Sequence, residues 1–336
     1  MNIFDVLRLV LGLSLFLFGM NLMGESLKKS AGSGLKTFLE KMTSSRFRGF
    51  LLGMIVTAII QSSSATTVMV VGFVNSGTML LSQAIGVIMG ANVGTAVTSW
   101  ITALSGLEGG AAVGSFFQWF KPSTFTPVLA LIGIILYSGG EKKQNSKNIG
   151  AIFLGFSVLM LGMETMSDAV SGLREDEGFR SILLMFENPI LGVLAGLVLT
   201  AVIQSSSASI GILQSLTATG AITFGNAVPI IMGQNIGTCI TALLASVGTS
   251  KNAKRASVIH LAFNVFGSVI GLGAFYLLKY LIKAQFLDGQ IDMWGIAAVH
   301  TIFNILSAIV LFPLSPWLEK LSIWLVRDSS LSKKGK

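Results

Sequence analysis

The chain contains seven apolar stretches, each long enough to cross a lipid bilayer. A transmembrane α-helix needs about 20 mostly apolar residues. Only 11% of the residues are charged and the mean hydropathy is +0.77, whereas about 25% of the residues of a soluble domain are charged. We therefore predict an all-α polytopic membrane protein. The seven candidate spans are residues 6–24, 82–104, 124–140, 149–167, 225–247, 256–282 and 293–318.

The charged residues and the cysteine exclude some classes of partner and bond. The net charge is +8, which we assign to Lys and Arg in cytoplasmic loops and not to a nucleic-acid partner. A single cysteine, Cys239, rules out an internal disulfide bond. The first apolar stretch lacks a small-x-small cleavage site, so we interpret it as a retained helix and not as a signal peptide.

Two polar motifs interrupt the apolar stretches, and both recur 143 residues later. The sequence QSSS stands at 61–64 and again at 204–207, and GANVGTAVT at 90–98 matches GQNIGTCIT at 233–241. The two motifs keep the same spacing in both copies, which indicates an internal duplication. Membrane transporters are often built from such repeats, with the substrate site where the repeats meet near the bilayer midplane.

Each copy is predicted to contain a membrane helix, a re-entrant helical hairpin and a broken transmembrane helix. The hairpin tips are placed at 61–64 and 204–207, and the broken helices at 82–104 and 225–247. The predicted organisation is repeat 1 at 1–140, repeat 2 at 149–283, an additional C-terminal transmembrane helix at 284–325 and a polar cytoplasmic tail at 326–336.

The relative orientation of the repeats has two interpretations. If each QSSS segment is a hairpin that enters and leaves by one face, the repeats have inverted topology; if it crosses completely, they are parallel. Lys and Arg are equally biased toward the cytoplasm in both arrangements, so the charge rule does not decide. We favour inverted repeats because lipid cannot satisfy four consecutive polar residues, and non-helical backbone at membrane depth needs protein or water around it.

The serines of the two motifs are the candidate substrate-binding residues. Each cluster precedes an apolar helix, where N-cap residues belong, and a helix N-terminus attracts oxyanions through unpaired N–H groups and its dipole. Asn92 and Asn235 would complete the pocket. The candidate substrate-binding residues are Ser62, Ser63, Ser64, Ser205, Ser206, Ser207, Asn92 and Asn235.

The glycine-rich motifs are the candidate sodium sites. Glycines would loosen the helix and free carbonyl oxygens, and neutral oxygens at a broken helix hold Na⁺ in sodium-coupled carriers. The apolar spans are nearly free of acids, which favours sodium coupling over proton coupling. The candidate sodium ligands are Gln61, Gln204, Thr66, Ser209, Thr95, Thr238, Asn92 and Asn235, with Thr98 and Thr241 open between the site and helix packing.

Other polar residues in or near the spans receive structural interpretations. Glu25 and Asp168 are equivalent in the two repeats and are interpreted as interfacial charges. The pairs His260/Asn264 and His300/Asn304 are spaced i,i+4, which places each pair on one helical face. We expect these pairs to tie helices together.

The doubled QSSS, each followed by G-x-N-x-G-T, resembles the type II sodium-dependent phosphate cotransporter family, and HLAFN at 260–264 is similar to its later helices. The resemblance covers roughly residues 5–320. It implies a Na⁺-driven carrier of inorganic phosphate that works by alternating access in the cell inner membrane, with no cofactor besides the coupling ions. Many bacterial relatives continue into a PhoU-like domain, which this sequence, ending in a polar tail, is expected to lack.

Alternatives to a sodium–phosphate symporter stay open. The substrate could be another small oxyanion or a dicarboxylate, and some relatives are thought to export phosphate. A passive channel would lack the counterflow and saturation of a carrier. An intramembrane serine hydrolase would need a base such as His260 or His300, but the nucleophile-elbow pattern is absent, so we predict that the protein is not an enzyme. A homodimer is left open.

Overall fold

The computed structural model describes residues 3–31, 45–104, 122–139, 144–171 and 177–327. These residues are helical, apart from short connections and one isolated β-bridge between Thr223 and Gln290. The helices are α1 (Ile3–Ala31), α2 (Arg46–Ile60), α3 (Ser63–Asn75), α4 (Leu81–Ala103), α5 (Pro122–Gly139), α6 (Gln144–Ser171), α7 (Glu177–Met185), α8 (Pro189–Ile203), α9 (Ser206–Leu216), α10 (Phe224–Gly237), α11 (Cys239–Ala245), α12 (Lys251–Tyr276), α13 (Met293–Leu311) and α14 (Ser315–Leu325).

Six helical segments are long and apolar enough to cross a membrane, which confirms the prediction of a multi-pass α-helical membrane protein. The seventh predicted span, 124–140, corresponds to a shorter apolar helix, Phe125–Gly139. The predicted tail lies outside the described residues from residue 328 onward. The six spans are Ile3–Leu27, Leu81–Ala103, Gln144–Val170, Phe224–Ala245, Lys251–Leu281 and Met293–Leu311.

Helices α2 and α3 form a hairpin, called hairpin 1. Its two ends approach each other across the break, because Thr57 Oγ1 donates a hydrogen bond to Thr66 Oγ1 at 3.0 Å, whereas residues nine apart in one continuous helix are about 13 Å apart. The arms have 15 and 13 residues, or about 22 and 20 Å. Neither arm reaches across a hydrocarbon core about 30 Å thick.

Glycines let hairpin 1 pack directly on α4. A Cβ on Gly90 would overlap the Phe50 carbonyl oxygen, and one on Gly94 would lie 2.5 Å from the carbonyl oxygen of Met54. The contacts advance in the same direction along both helices, so α2 and α4 are parallel. Helix α3 is therefore the return arm between them, and hairpin 1 begins and ends at one end of the molecule.

Helices α8 and α9 form hairpin 2, which repeats this packing at the 143-residue offset. A Cβ on Gly233 would overlap the Val193 carbonyl oxygen, and one on Gly237 would lie 2.6 Å from that of Leu197. These four residues are the counterparts of Gly90, Phe50, Gly94 and Met54. The duplication read from the sequence therefore corresponds to a duplicated helix–helix contact.

Helices α1 and α6, which also correspond under this offset, pack against each other in antiparallel orientation. A Cβ on Gly12 would lie 2.9 Å from the Gly162 carbonyl oxygen, and one on Gly19 would lie 2.5 Å from that of Gly155. The contacts advance in opposite directions along the two helices. Around the glycines, Phe16 and the methionines of α6 form an apolar core.

Of the two helix breaks predicted from the sequence, the first is wrong and the second is present. Helix α4 runs without interruption from Leu81 to Ala103, so the predicted broken helix at 82–104 is continuous; its glycines provide close contact with α2 and do not break the helix. In repeat 2 the helix is interrupted at Thr238, whose backbone (φ −59°, ψ −25°) remains in the right-handed helical region. The break predicted at 225–247 is therefore present, as a local interruption at one residue.

The predicted C-terminal helix at 284–325 is also corrected. The spanning helix α13 ends at Leu311, and the shorter helix α14 begins at Ser315. Two prolines, Pro313 and Pro316, lie at this junction. Pro313 has no N–H to continue α13, and Pro316 lies in the first turn of α14, where no N–H is needed, so the two prolines fit the separation of α13 from α14.

Candidate functional site

The tip of hairpin 1 (residues 61–64) is a sharp break between two helices. Gln61 ends α2 in the left-handed region, at φ 59° and ψ 26°, and Ser62 then returns to extended backbone. The Ser62 Oγ accepts a hydrogen bond from the Ala65 N–H at 3.1 Å, so Ser62 is the N-cap of α3. The N–H groups of Ser63 and Ser64 belong to the first helical turn, where no intrahelical acceptor is available.

The tip of hairpin 2 (residues 204–207) has the same geometry. Gln204 ends α8 at φ 58° and ψ 23°, and the Ser205 Oγ accepts from the Ala208 N–H at 3.2 Å. Both QSSS motifs therefore have one local fold, in which the glutamine reverses the chain and the first serine starts the next helix. This confirms the predicted N-cap position of the serine clusters.

The two tips face one cavity of about 350 Å³. All six candidate serines line it, together with both glutamines and one face of α1. The remaining lining residues are Leu17, Met20, Asn21, Gly24, Glu25, Ile60, Ala65 and Ile203. The cavity brings together residues that are 143 positions apart in the sequence.

The chemistry of the cavity wall suits a small oxyanion. Two helix N-termini, those of α3 and α9, contribute backbone N–H groups and the positive ends of their dipoles. The serine hydroxyls add donors that rotate to suit a ligand. Among the described residues that line the cavity, Glu25 is the one charged side chain, so no lysine or arginine contributes to this part of the wall.

Hydrogen bonds fix the tip of hairpin 1 to α4 and link the two arms of the hairpin. The Gln61 side chain is 4% exposed, and its Oε1 accepts a hydrogen bond from Thr98 Oγ1 of α4 at 2.9 Å. One turn before the tip, Thr57 and Thr66 are hydrogen bonded across the hairpin. Thr98, which the sequence left undecided, therefore holds the tip and does not line the cavity.

The second tip lacks both of these contacts. Gln204 is exposed, and Thr241, the counterpart of Thr98, donates instead to the Thr238 carbonyl oxygen of its own helix at 2.9 Å. Thr200 and Ser209, the counterparts of Thr57 and Thr66, are buried, and their hydroxyls have no partner among the described residues. The two repeats thus share a backbone plan but differ at their tips.

The candidate asparagines and threonines of the glycine-rich motifs lie outside the cavity lining. Asn92 Nδ2 donates to the Ile88 carbonyl oxygen at 2.9 Å, and Asn235 makes the equivalent bond to Ile231. The hydroxyls of Thr95 and Thr238 donate to carbonyl oxygens four residues earlier in their own helices. In this structure these four side chains therefore bond to nearby backbone carbonyl oxygens and do not reach the cavity wall.

Two polar residues of α1 belong to the cavity, and one of them was missed from the sequence. Asn21 and Glu25, one helical turn apart, both line it, whereas Glu25 was interpreted as an interfacial charge. A Cβ on Gly24 would lie 2.8 Å from the Ile60 carbonyl oxygen, so α1 touches tip 1 directly. The available signal was the i,i+4 spacing of these two polar residues, which places them on one helical face.

A second missed residue, Gln214, connects the repeats. It is completely buried on α9, and its Nε2 donates to the carbonyl oxygens of Ser99 at 3.0 Å and Met293 at 3.1 Å. Its Oε1 accepts from Thr102. Hairpin 2 is thereby attached to α4 of the other repeat and to α13.

The predicted histidine–asparagine pairs are buried at helix contacts. His300 Nδ1 lies 2.9 Å from Ser99 Oγ, so α13 is linked to α4. Asn264 Nδ2 lies 3.4 Å from the sulfur of Cys239, so α12 is linked to α11. One side chain of each pair therefore links two helices, whereas Asn304 Nδ2 bonds within its own helix and neither ring nitrogen of His260 has a partner among the described residues.

The comparisons with known proteins point to one family. The sequence model described as Na+/Pi-cotransporter matches residues 15–168 and 161–282, once for each repeat. YqeW of Bacillus subtilis is 31% identical over 304 residues, which cover 89% of this chain and 91% of YqeW. No solved structure gives a significant match.

Two further relatives carry names that refer to phosphate. "Putative inorganic phosphate export protein YjbB" of Escherichia coli K12 is 26% identical over 325 residues, 96% of this chain but 56% of YjbB. The rat sodium-dependent phosphate transport protein 2A is 36% identical over 101 residues, 27% of this chain and 16% of that protein. With a family match to both repeats, the chain belongs to the Na+/Pi-cotransporter family, a family of membrane transporters and not of enzymes.

Proposed function

We propose that the protein is a secondary active transporter that carries inorganic phosphate together with Na⁺ by alternating access. The observation that carries this proposal is the single cavity between two QSSS tips, each of which begins a helix. Helix N-termini and hydroxyls stabilise a bound oxyanion without a buried cation. The proposed phosphate ligands are the six serines of the tips and their neighbouring N–H groups.

The sodium ions are proposed to bind beside the tips. Gln61, Gln204, Thr66, Ser209 and the Asn and Thr residues of the glycine-rich motifs remain the candidates. Unpartnered oxygens behind tip 2 support a cation there, since Thr200 Oγ1, Ser209 Oγ and Gln234 Oε1 are buried without a partner in the described part of the chain. Buried polar atoms normally have one, and neutral oxygens are ligands for hard cations.

Inverted repeats are proposed as the basis of the alternating mechanism. Helices α1 and α6 are equivalent, yet they pack antiparallel, and the contact of Gly12 with Gly162 maps onto that of Gly155 with Gly19 under the 143-residue offset. A two-fold axis lying in the membrane plane accounts for both relations. Short hairpin arms support re-entry, since neither spans the hydrocarbon core.

The difference between the two tips supports two alternating conformations. Tip 1 is held by Thr98 and tip 2 is not. In the opposite conformation, we expect Thr241 to hold Gln204 and Thr98 to release Gln61. The repeats would exchange their roles, and the cavity would open to the other side of the membrane.

The C-terminus is proposed to lie in the cytoplasm, with the protein in the cell inner membrane. Arg46 at the start of α2 pairs with Glu319 of α14 at 2.8 Å, and Arg255 near the start of α12 donates to the Val326 carbonyl oxygen at 2.9 Å. These contacts gather basic helix ends and the end of α14 at one face, as the positive-inside rule expects of a cytoplasmic side.

Uptake into proteoliposomes tests the transport proposal. Radiolabelled phosphate should accumulate with an inward Na⁺ gradient and not when choline replaces sodium. Sodium-independent uptake would refute the coupling, and preference for sulfate or a dicarboxylate would refute the substrate. Because YjbB is named for phosphate export, efflux from phosphate-loaded vesicles is measured in the same preparation to determine which direction is faster.

Substitutions in the tips test the site. Ser64→Val and Ser207→Val remove a donor and add methyl groups at the cavity wall, so we expect phosphate affinity to fall at least tenfold. Ser181→Val is the matched control, because this exposed serine lies on α7, outside the cavity lining, and its hydroxyl donates to the Gly178 carbonyl oxygen. Unchanged affinity for phosphate in both tip variants would mean that these serines contribute to packing and do not bind the substrate.

Cysteine labelling tests re-entry. Single cysteines at Arg48 and Thr78, both exposed and at the two ends of hairpin 1, should react with an impermeant maleimide from the same side of the membrane. The native Cys239 is fully buried and should stay unlabelled. Labelling from opposite sides would mean that the hairpin crosses the bilayer.

A further inference from the structure

Glu25 is placed where it can contact the transported anion. Helix α1 touches tip 1 at Gly24, and the next residue, Glu25, lines the same cavity as both serine clusters. It is the one charged side chain among the described residues of that wall, and its charge has the same sign as the proposed substrate. Glu25 is exposed at the cavity, and a carboxylate in this position opposes the binding of an anion unless the anion offers it a proton.

Hydrogen-bond chemistry provides such a role. An ionised carboxylate only accepts hydrogen bonds, whereas the serine hydroxyls and helix N–H groups of the cavity donate them. Inorganic phosphate near neutral pH retains at least one P–OH group, so it can accept from the serines and donate to Glu25. Sulfate has no proton at this pH and would oppose the carboxylate with oxygen lone pairs and negative charge only.

We propose that Glu25 is the residue that selects protonated tetrahedral oxyanions, phosphate and arsenate, and excludes sulfate. The inference rests on the proposed function, since it assumes that the serine tips bind the oxyanion, and it adds the basis of specificity. The carboxylate discriminates mainly by repelling the wrong ligand, which is a common way to achieve specificity. The helix N-termini and hydroxyls offset its repulsion of phosphate.

Competition during sodium-driven uptake of radiolabelled phosphate tests this inference on the full chain in proteoliposomes. With wild-type protein, unlabelled arsenate should inhibit uptake and sulfate should not. Glu25→Gln replaces one acceptor by an N–H donor, so sulfate should become an inhibitor. Because a hydrogen bond to a charged group contributes about 1.5–3 kcal/mol, the preference for phosphate over sulfate should fall about 10- to 150-fold.

Two further variants separate specificity from general damage. Glu25→Asp keeps the carboxylate, so sulfate should remain excluded even if phosphate affinity falls. Glu177→Gln makes the same chemical change at an exposed position of α7 outside the cavity lining, and it should leave the competition pattern unchanged. Gel filtration and thermal unfolding establish that each variant is folded.

The outcomes that overturn the inference differ from those that overturn the proposed function. If Glu25→Gln transports phosphate and still excludes sulfate, or if it changes only the sodium dependence, Glu25 is not the selecting residue. If Glu25→Gln fails to fold, wild-type inhibition decides, since sulfate inhibition equal to that of arsenate also refutes the inference. Absence of phosphate uptake by the wild-type protein would refute the proposed function itself.

Discussion

The hydrogen bond between Thr98 and Gln61 offers a quantitative test of alternating conformations. Thr98 is 2% exposed and Gln61 is 4% exposed, and their side chains are 2.9 Å apart. Thr98→Val has nearly the same shape but removes the donor. Gln61 Oε1 then remains buried without this bond, which costs about 1–3 kcal/mol. In the proposed opposite conformation Gln61 is exposed and loses nothing.

The substitution should therefore change the ratio of the two conformations about 5- to 150-fold against the one described here. Asn21 provides the reporter, because it is exposed on α1 and lines the cavity. We expect a cysteine at this position to react more slowly with an impermeant maleimide in the Thr98→Val background. Cys239 is fully buried and serves as the internal control.

Thr241→Val is the matched variant in repeat 2. Thr241 bonds here to its own helix, so its loss should not disfavour this conformation and should disfavour the opposite one. The Asn21 cysteine should then react as fast as before, or faster. Slower labelling of equal size in both variants, or no change in Thr98→Val, would refute the reasoning.

Two other predictions concern stability. Gly53→Ala would drive a methyl group into the Val87 carbonyl oxygen and should lower the unfolding temperature in detergent by several degrees. Gly72→Ala, with nothing within 4 Å, should leave this temperature unchanged or raise it, since alanine favours helix over glycine by about 1 kcal/mol. Equal effects of the two substitutions would argue against the close contact of α2 and α4. Gln214→Leu should destabilise by about 1–3 kcal/mol, because the Ser99 and Met293 carbonyl oxygens and the Thr102 hydroxyl each lose their bond to this buried side chain. Gln290→Leu should have little effect, because Gln290 is exposed and water can replace its bond to the Gly220 carbonyl oxygen. Denaturant unfolding measures both, and a stable Gln214→Leu would contradict a connecting role.

The sequence predicted the parts of the fold that depend on local chemistry. Apolar length indicated the spans, and the repeated QSSS predicted both tips and their N-caps, since capping depends on residues next to each other. It failed at Gly90 and Gly94, because a glycine that loosens a helix and one that admits a neighbouring backbone look the same in one sequence. It also missed Asn21 and Gln214, whose partners lie on helices distant in sequence.

The glycine contacts have a mechanical consequence. The backbones of α2 and α4, of α8 and α10, and of α1 and α6 are in direct contact. Because no layer of side chains separates the two helices of a pair, they cannot slide past each other easily. Each pair behaves as a stiff unit, and the three pairs together contain six of the fourteen α-helices in the described part of the chain. If cavity access alternates as proposed, these units move relative to one another, and the larger side chains between them accommodate the movement. Mutations that alter the rate of transport without altering the affinity for substrate should concentrate among the side chains between these helix pairs.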